Sequence, residues 1–343
     1  ESAPAPNVAG VAANIAILVG QTERGSADLT EVGSTGELQE VFGKNDTFGV
    51  NKALKKKKFG RLRIIRALAS DAVQASKAFQ SSATDRITFK AKQGKGAFGN
   101  SIQVKIEEAS NSVNEKFTIA TIADVAAALD GKFFLLADEV GTVGFWIDVD
   151  NGGGTAPAGA LAAARQVEIS TIATGDSASV VATKIAAAIE ADSKFTASAL
   201  SNLVTATVVA FAPAIGTESA GDSGFTVTNT VTGVYGGKKY TVKDTSTGAV
   251  LPQESYDNIK IATIAQNKPF AGSSLIEATV NSSAAEPSDA AFTALASGSD
   301  GTITNSDYET AIAKAEIEAA GNFMFLDEYN ATRNGYLKSH AAA

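Results

Sequence analysis

The run Ile15-Ala16-Ile17-Leu18-Val19 limits what this chain can become more than any other stretch. It is continuously apolar, and its pattern fits a short strand covered on both faces, as in parallel sheets. A parallel neighbour requires a crossover connection, and the residues up to Leu68 supply one. Ser34-Thr35-Gly36-Glu37 reads as a capping box: the Ser34 hydroxyl accepts from the third helical amide while Glu37 reaches back to the cap amide. Leu38, Val41 and Phe42 share one side of the helix so opened, and Gly43 supplies a left-handed stop. A second helical stretch from about Val50 and a β-rich run over 62–68 complete the pattern of strand, helices, strand. Such a unit is expected to be right-handed, with its helices packed on the sheet. None of these side chains is armed for chemistry.

Composition narrows the function classes. With 343 residues, 44% of them hydrophobic, the chain is long enough for two or three domains with real cores. Its 29 basic and 37 acidic side chains leave a net charge of −8, so a global basic field for wrapping nucleic acid is absent. No apolar run approaches the roughly 20 residues of a membrane span. Residues 1–7 are Pro/Ala-rich and carry no basic-then-apolar secretion signal. The absence of cysteine excludes disulfides, thiolate metal sites and Cys nucleophiles. His340 is the only histidine and stands near the end of the chain, where it is badly placed for a Ser-His-Asp triad or a metal cluster. No Walker A pattern is present.

Three motifs invite a sharper reading. Gly94-Lys95-Gly96-Ala97-Phe98-Gly99 matches G-x-G-x-x-G, but dinucleotide binding needs a helix to follow, and Ser101 to Ile106 alternates like a strand. A glycine-permitted loop between strands is the expectation. Asp148, Asp150 and Asn151 beside Gly152-Gly153-Gly154 suggest a calcium loop; however, Gly152 occupies the third ligand position and no glutamate stands twelve residues along, so a solvated turn is expected. Lys55 to Lys58 reads as a solvated helix end or an inter-subunit charge contact. No catalytic, cofactor or metal residues are assigned.

Further along, residues 71–83 read as a polar connection. Ile87, Phe89 and Ala91, then Ile102, Val104 and Ile106, alternate as two half-buried strands. From about Phe117 the texture changes: strands are expected at 133–136, 143–149, 167–172, 203–211 and 225–231. Asp176-Ser177 caps a helix with Val181, Ile185, Ala188 and Ile189 on its apolar stripe. Strands are expected again at 240–244 and 256–264, and a tight turn at 297–301. Ser306-Asp307-Tyr308-Glu309 reads as a second capping box, opening a helix with Tyr308, Ala311, Ile312 and Ala315 on one face and Gly321 at its end. Phe323 to Leu326 follows as a buried strand, and Asn330 opens a helix running to Ala343. Ile-Ala-Thr-Ile-Ala occurs at both 119–123 and 261–265, a coincidence in so Ala/Thr-rich a chain. The fold class is therefore α/β and α+β multidomain: a mixed-sheet α/β framework with a β-rich subdomain and an inserted α+β domain. The expected parts are a flexible arm at 1–11, the framework at 12–84 and 245–343, the β-rich subdomain at 85–116 and 236–244, and the inserted outer domain at 117–235.

Several stretches resemble contractile-tail sheath proteins. Val19-Gly20-Gln21-Thr22-Glu23-Arg24-Gly25 is similar to the family's strand ending in VGxTxRG, and the helix closing on Phe42-Gly43 to its short helix ending in FG. Arg61 to Arg66 resembles the Val/Ile/Arg-rich strand that follows. One departure is Lys55-Lys56-Lys57-Lys58-Phe59-Gly60, where many members carry Asn-Gly-Gly. Gly96-Ala97-Phe98-Gly99-Asn100 resembles a G-x-[WF]-G-N element, and Glu254-Ser255-Tyr256-Asp257-Asn258 an E-x-[FY]-x-N stretch. Gly298-Ser299-Asp300-Gly301 with Asp307-Tyr308 is similar to the family's GxDG…DY, Ser299 standing where a glycine is usual. Trp146-Ile147-Asp148-Val149-Asp150 and Gly175-Asp176-Ser177-Ala178-Ser179 resemble modules inserted in several phage structural proteins.

The resemblance implies a non-enzymatic structural subunit without cofactors that polymerises around a tail tube and contracts to drive it through a target envelope. Its partners would be other copies of itself, the tail tube protein, and baseplate and tail terminator proteins, with no direct nucleic-acid binding and no membrane insertion. Its place would be the virion's tail sheath, assembled in the host bacterial cytoplasm. Sheath proteins continue into a further domain and a terminal arm, so this chain is expected to lack its C-terminal part and, alone, to be largely monomeric. The inserted domain is expected outermost, and its deletion to leave the remainder folded. The alternatives are a bacteriocin-type or secretion-type sheath and, in a different class, a soluble α/β ligand-binding or enzymatic protein.

Overall fold

The computed structural model describes residues 15–25, 27–43, 61–92, 94–246, 254–319, 323–326 and 331–341. The first strands are β1 (Ile15–Gly20), β2 (Thr30–Val32), β3 (Arg61–Arg66), β4 (Ser76–Ser81), β5 (Thr84–Ala91) and β6 (Ile102–Glu108), with helix α1 (Thr35–Phe42) after β2. Next come β7 (Lys116–Ala120), β8 (Phe133–Ala137), β9 (Thr142–Ile147), α2 (Ala158–Leu161), β10 (Arg165–Ile169) and α3 (Ala178–Glu190). They are followed by β11 (Phe195–Leu200), β12 (Leu203–Val208), β13 (Thr226–Val231), β14 (Lys238–Asp244), β15 (Glu254–Ile259) and α4 (Ile261–Asn267). The last elements are β16 (Ile276–Val280), β17 (Ala290–Ala294), α5 (Asn305–Ala319), β18 (Phe323–Leu326) and α6 (Ala331–Ala341). The fold is an α+β multidomain one with mixed sheets. The chain divides into two units, the first Glu1–Glu107, Tyr240–Tyr256 and Ile261–Ala343, the second Glu108–Lys239 and Asp257–Lys260.

In the first unit a mixed sheet runs in the order β18-β1-β3-β2. β1 is parallel to both β3 and β18, while β2, a strand the sequence reading did not contain, closes the edge antiparallel to β3. The pleat sends alternate residues of β1 to opposite faces, which is why a continuous apolar run is needed there. Ala16 and Leu18 pack with Leu62, Ile64, Val32 and the α1 residues Leu38 and Phe42. Ile17 and Val19 pack with Ile65 and with Tyr308, Ala311, Ile312 and Ala315, the expected face of α5. Each Val, Leu, Ile or Phe among them contributes about 1.5–3 kcal/mol on full burial. The Arg333 guanidinium of α6 lies 3.8 Å from the Tyr308 ring centroid.

The helix ends depart from expectation in instructive ways. Ser34 caps α1, its hydroxyl accepting from Glu37 N at 3.1 Å, but the Glu37 carboxylate reaches one residue further back, to Gly33 N at 2.8 Å. Gly43 does have positive φ (93°), yet its ψ of −179° is a glycine-only extended form rather than a left-handed helical stop. A Cβ there would sit 2.6 Å from the Glu23 Cβ. The second capping box begins at Thr304, not Ser306: Asp307 N donates to the Thr304 hydroxyl at 3.4 Å, and Thr304 N to the Asp307 carboxylate at 2.8 Å. Asp307 serves the N3 role that Glu309 was expected to fill, because the helix starts at Asn305. Gly321, Asn330, the helix expected from Val50 and Lys55–Lys58 lie outside the described residues.

β5 and β6 form as expected but enter different sheets, β16-β5-β4 and β15-β14-β6-β17. The polar connection expected at 71–83 is corrected: β4 occupies nearly half of it, paired antiparallel with β5 across the two-residue turn Ser82-Ala83. Both turn residues have positive φ, 51° and 63°, which is the requirement of a type I′ hairpin turn. Asn-Gly is the usual signal for that turn; Ser-Ala hides it. Ala83→Gly is expected to stabilise the hairpin by about 1 kcal/mol by removing a left-handed alanine, checked by the thermal midpoint. The strand expected at 256–264 ends at Ile259, and α4 takes over at Ile261. Phe89 anchors this region with edge-on contacts to Phe79, Tyr240 and Phe270 at centroid distances of 5.8, 5.6 and 5.3 Å.

The second unit has one core between two sheets and α3. The sheet β10-β9-β8 is parallel at β9–β10 and antiparallel at β8–β9, while β11-β12-β7-β13 is antiparallel throughout. Ser177 caps α3, as expected, and Val181, Ala182, Ile185, Ala186 and Ile189 are buried. They meet Phe134, Phe145, Phe195 and Phe225 in a continuous cluster. Gly144 lets α2 close on β9, since a Cβ there would lie 2.9 Å from the Ala160 Cα. The way in and the way out of the unit run side by side: Ala109 N donates to Gly237 O at 3.1 Å, and Val113 bridges Val234.

Candidate functional site

In open α/β sheets, functional groups gather beyond the carboxyl ends of parallel strands. Here the loops after β1 and β3 meet the glycine loop 94–99 and the turn 297–301 in that position, around a cleft of about 620 Å³. Gln21, Thr22, Glu23, Arg66, Phe98 and Asp300 are among its lining residues.

Arg24 is the first fixed point. The Thr22 hydroxyl donates to the Arg24 carbonyl at 2.6 Å, and Arg24 N donates to Phe42 O at 3.2 Å. Its guanidinium donates to the Asp244 carboxylate at 3.1 Å and to Gln39 O at 3.0 Å. The pair is nearly dry, with side-chain exposures of 9% and 2%. Asp244 in turn accepts from the Ser101 hydroxyl at 2.6 Å and from Ser246 N at 2.8 Å. One carboxylate thus ties the loop after β1, the turn before β6 and the end of β14 together.

Arg66, buried at the end of β3, is the second. It donates to Lys95 O at 2.7 Å and pairs with Asp300 at 3.4 Å. Burial pushes its guanidinium below the ordinary value, with Asp300 pulling the other way. Asp300 also accepts from Ala97 N at 3.2 Å, so the glycine loop and the 297–301 turn share one carboxylate. Asn100 makes two bonds to the Gly298 backbone, at 2.9 and 3.0 Å. Asp71 accepts from Thr302 N at 2.9 Å, and Asp307 from Ser70 N at 3.1 Å. Burial alone would raise the Asp307 carboxyl, but hydrogen bonds from Thr304 and Ser70 outweigh it and hold the group below the usual range.

Chemically the arrangement acts as a lock that ties these loops together. The arginines and carboxylates described bond to backbone groups and to one another, while Arg24 Nε is buried without a partner among the described residues. The G-x-G-x-x-G stretch leads into a one-turn 3-10 helix at Ala97–Ser101 and then β6, which is the expected loop between strands. At the suspected calcium loop the Asp148 carboxylate accepts from Gly152, Gly153 and Gly154 N at 2.9, 3.1 and 3.3 Å. Asp150 accepts from Thr174 N at 3.1 Å and from its hydroxyl at 2.7 Å, so the two carboxylates serve different partners. Among the described residues no group of three or more His, Cys, Asp or Glu could hold a metal ion. None of their helices is long and apolar enough to cross a membrane. His340 falls within α6, with its side chain outside the described set. Sequence reasoning missed Arg24 and Asp244 as partners because they stand 220 residues apart. An arginine inside a glycine-flanked turn was the available signal.

No family model matches this sequence, and no curated protein matches it. Among solved structures, a sheath tail protein from Listeria innocua aligns at 13% identity with a TM-score of 0.45, covering 95% of this chain and 43% of that one. A sheath tail protein from Desulfitobacterium hafniense aligns at 12% identity with a TM-score of 0.42, covering 96% of this chain and 45% of that one. This chain therefore spans less than half the length of either.

Proposed function

We propose that this chain is a structural subunit of a contractile tail sheath, polymerising with copies of itself around a tail tube and acting through its surfaces rather than through reactive side chains. One observation carries the reading. The stretches 19–25, 61–66, 96–100 and 298–301, which resemble sheath proteins, come together as one lock: Gly20 pairs with Arg66 between β1 and β3, Arg66 and Ala97 N both reach Asp300, and Gly298 N donates to Asn100. A subunit whose contacts with neighbours slip during contraction needs such internal rigidity. The tube, baseplate and terminator proteins are the further partners on this reading, the virion tail its place, and residues 117–235 an outer insertion. A cleft of about 620 Å³ at the carboxyl ends of β1 and β3 favours a second reading, a soluble α/β protein that binds or turns over a small ligand. Negative-stain images of the full-length product separate the two. Striated tubes are expected; discrete particles with saturable binding or turnover would overturn the sheath reading.

A further inference from the structure

One end of the second unit gathers large aliphatic side chains in water. The loop after β7, the start of α3 and the β11–β12 hairpin tip meet there through Thr121: its amide donates to Asn202 O at 2.8 Å and its hydroxyl to Ala178 O at 2.7 Å. Asp124 N donates to Asp176 O at 2.9 Å and holds the loop against the helix start. Around these bonds Leu200 is 83% exposed and Val125 69%, with Ile122, Val180 and Leu203 also exposed. Across residues 120–128, 177–183 and 199–205 the sole ionisable side chain is Asp124, and it is buried. The loop is also strained. Ala126 and Ala127 both sit in the left-handed region, at φ 54° and 59°. Asp124 accepts from Leu129 N at 2.9 Å while its other oxygen is buried without a partner among the described residues. Backbone strain and unsatisfied buried groups of this kind concentrate at functional sites, and contiguous exposed apolar surface marks interaction sites.

We infer that this tip is a contact between copies of this chain, packing against a second unit of a neighbouring copy. Charge selects that occupant: copies of a chain with a net charge of −8 repel one another, and an aliphatic patch whose bordering Asp176 and Lys184 neutralise each other at 2.6 Å is where like can meet like without that cost. The neighbouring Lys184 is taken up by Asp176, which argues against anionic lipid or nucleic acid. A contact made by five aliphatic side chains is weak in dilute solution and gains from the local concentration within a polymer. In that respect it rests on the sheath reading.

The test is sedimentation equilibrium of the purified chain from micromolar to about 1 mM, where weak contacts populate. Val125→Asp with Leu200→Asp, and Leu200→Ser alone, serve as variants; both positions are exposed, and the thermal midpoint verifies folding. Self-association at the upper end, weakened at least about tenfold in the folded variants, is expected. A monomer throughout, or equal association of wild type and variants, overturns the proposal. Flotation with phosphatidylcholine vesicles that the variants lose would make the occupant a lipid surface and overturn it as well. Tube formation is scored separately by electron microscopy, so failure of the sheath reading and failure of this contact are distinct results.

Discussion

Asp244→Ala is expected to destabilise the first unit by about 3–5 kcal/mol, the range for removing one partner of a buried ion pair. The size follows from what is left behind. The Arg24 guanidinium, 9% exposed, would keep its charge and lose its counter-ion, while the Ser101 hydroxyl and Ser246 N would lose an acceptor. Arg24→Met should cost about as much by stranding Asp244. The double change Arg24→Met with Asp244→Leu should recover much of the loss, since apolar replacement removes both desolvation costs together. Urea denaturation of the chain gives the readout through the midpoint at constant slope. A loss of about 1 kcal/mol or less for Asp244→Ala is the behaviour of a solvent-screened surface pair, and the lock would then not be what holds these loops.

How much of this was legible beforehand depends on whether the signal was local. β1, β5, β6, α3 and the buried face of α5 each carry their own periodicity, and periodicity survives without knowledge of partners. Caps were legible as types but not as registers. Ser306-Asp307-Tyr308-Glu309 contains every residue a box requires, yet Thr304 two positions earlier captures Asp307, and the helix starts sooner. β4 escaped because its turn is Ser-Ala rather than Asn-Gly, and β16 and β17 because five-residue strands among serine and alanine barely alternate. The repeated pentapeptide shows where local reading ends. Ile119-Ala120 closes β7 and the chain then leaves the strand, whereas the same five residues at 261–265 open α4. At 119 the register is set by pairing with β12 and β13; at 261 the first amide is taken by the Glu286 carboxylate at 2.9 Å, which starts a helix. Sequence supplied neither partner. The lock around Arg24 and Arg66 is of the same kind: each stretch reads as a strand or turn by itself, while the pairings with Asp244 and Asp300 cross more than 200 residues of sequence.

Phe145→Ala is expected to lower the melting of the second unit alone. Phe145 is fully buried, stacked on Phe134 at a centroid distance of 5.2 Å and edge-on to Phe195 at 6.3 Å. Truncating such a ring costs about 3–5 kcal/mol through lost transfer energy and the cavity left behind, which at a few degrees per kcal/mol amounts to a shift on the order of 10–20 °C. Gly144 beside it already admits α2 at van der Waals limits, so the surrounding backbone has little room to collapse into the void. Differential scanning calorimetry should therefore show two transitions in the wild type, of which only one moves in the variant. The basis is that the unit has its own continuous core and that its entry and exit run together at Ala109 and Gly237, an arrangement that lets a module fold on a host without threading through it. A single transition that shifts as a whole would show the two units melting as one cooperative body. In that case deleting residues 117–235 would take the remainder down with them.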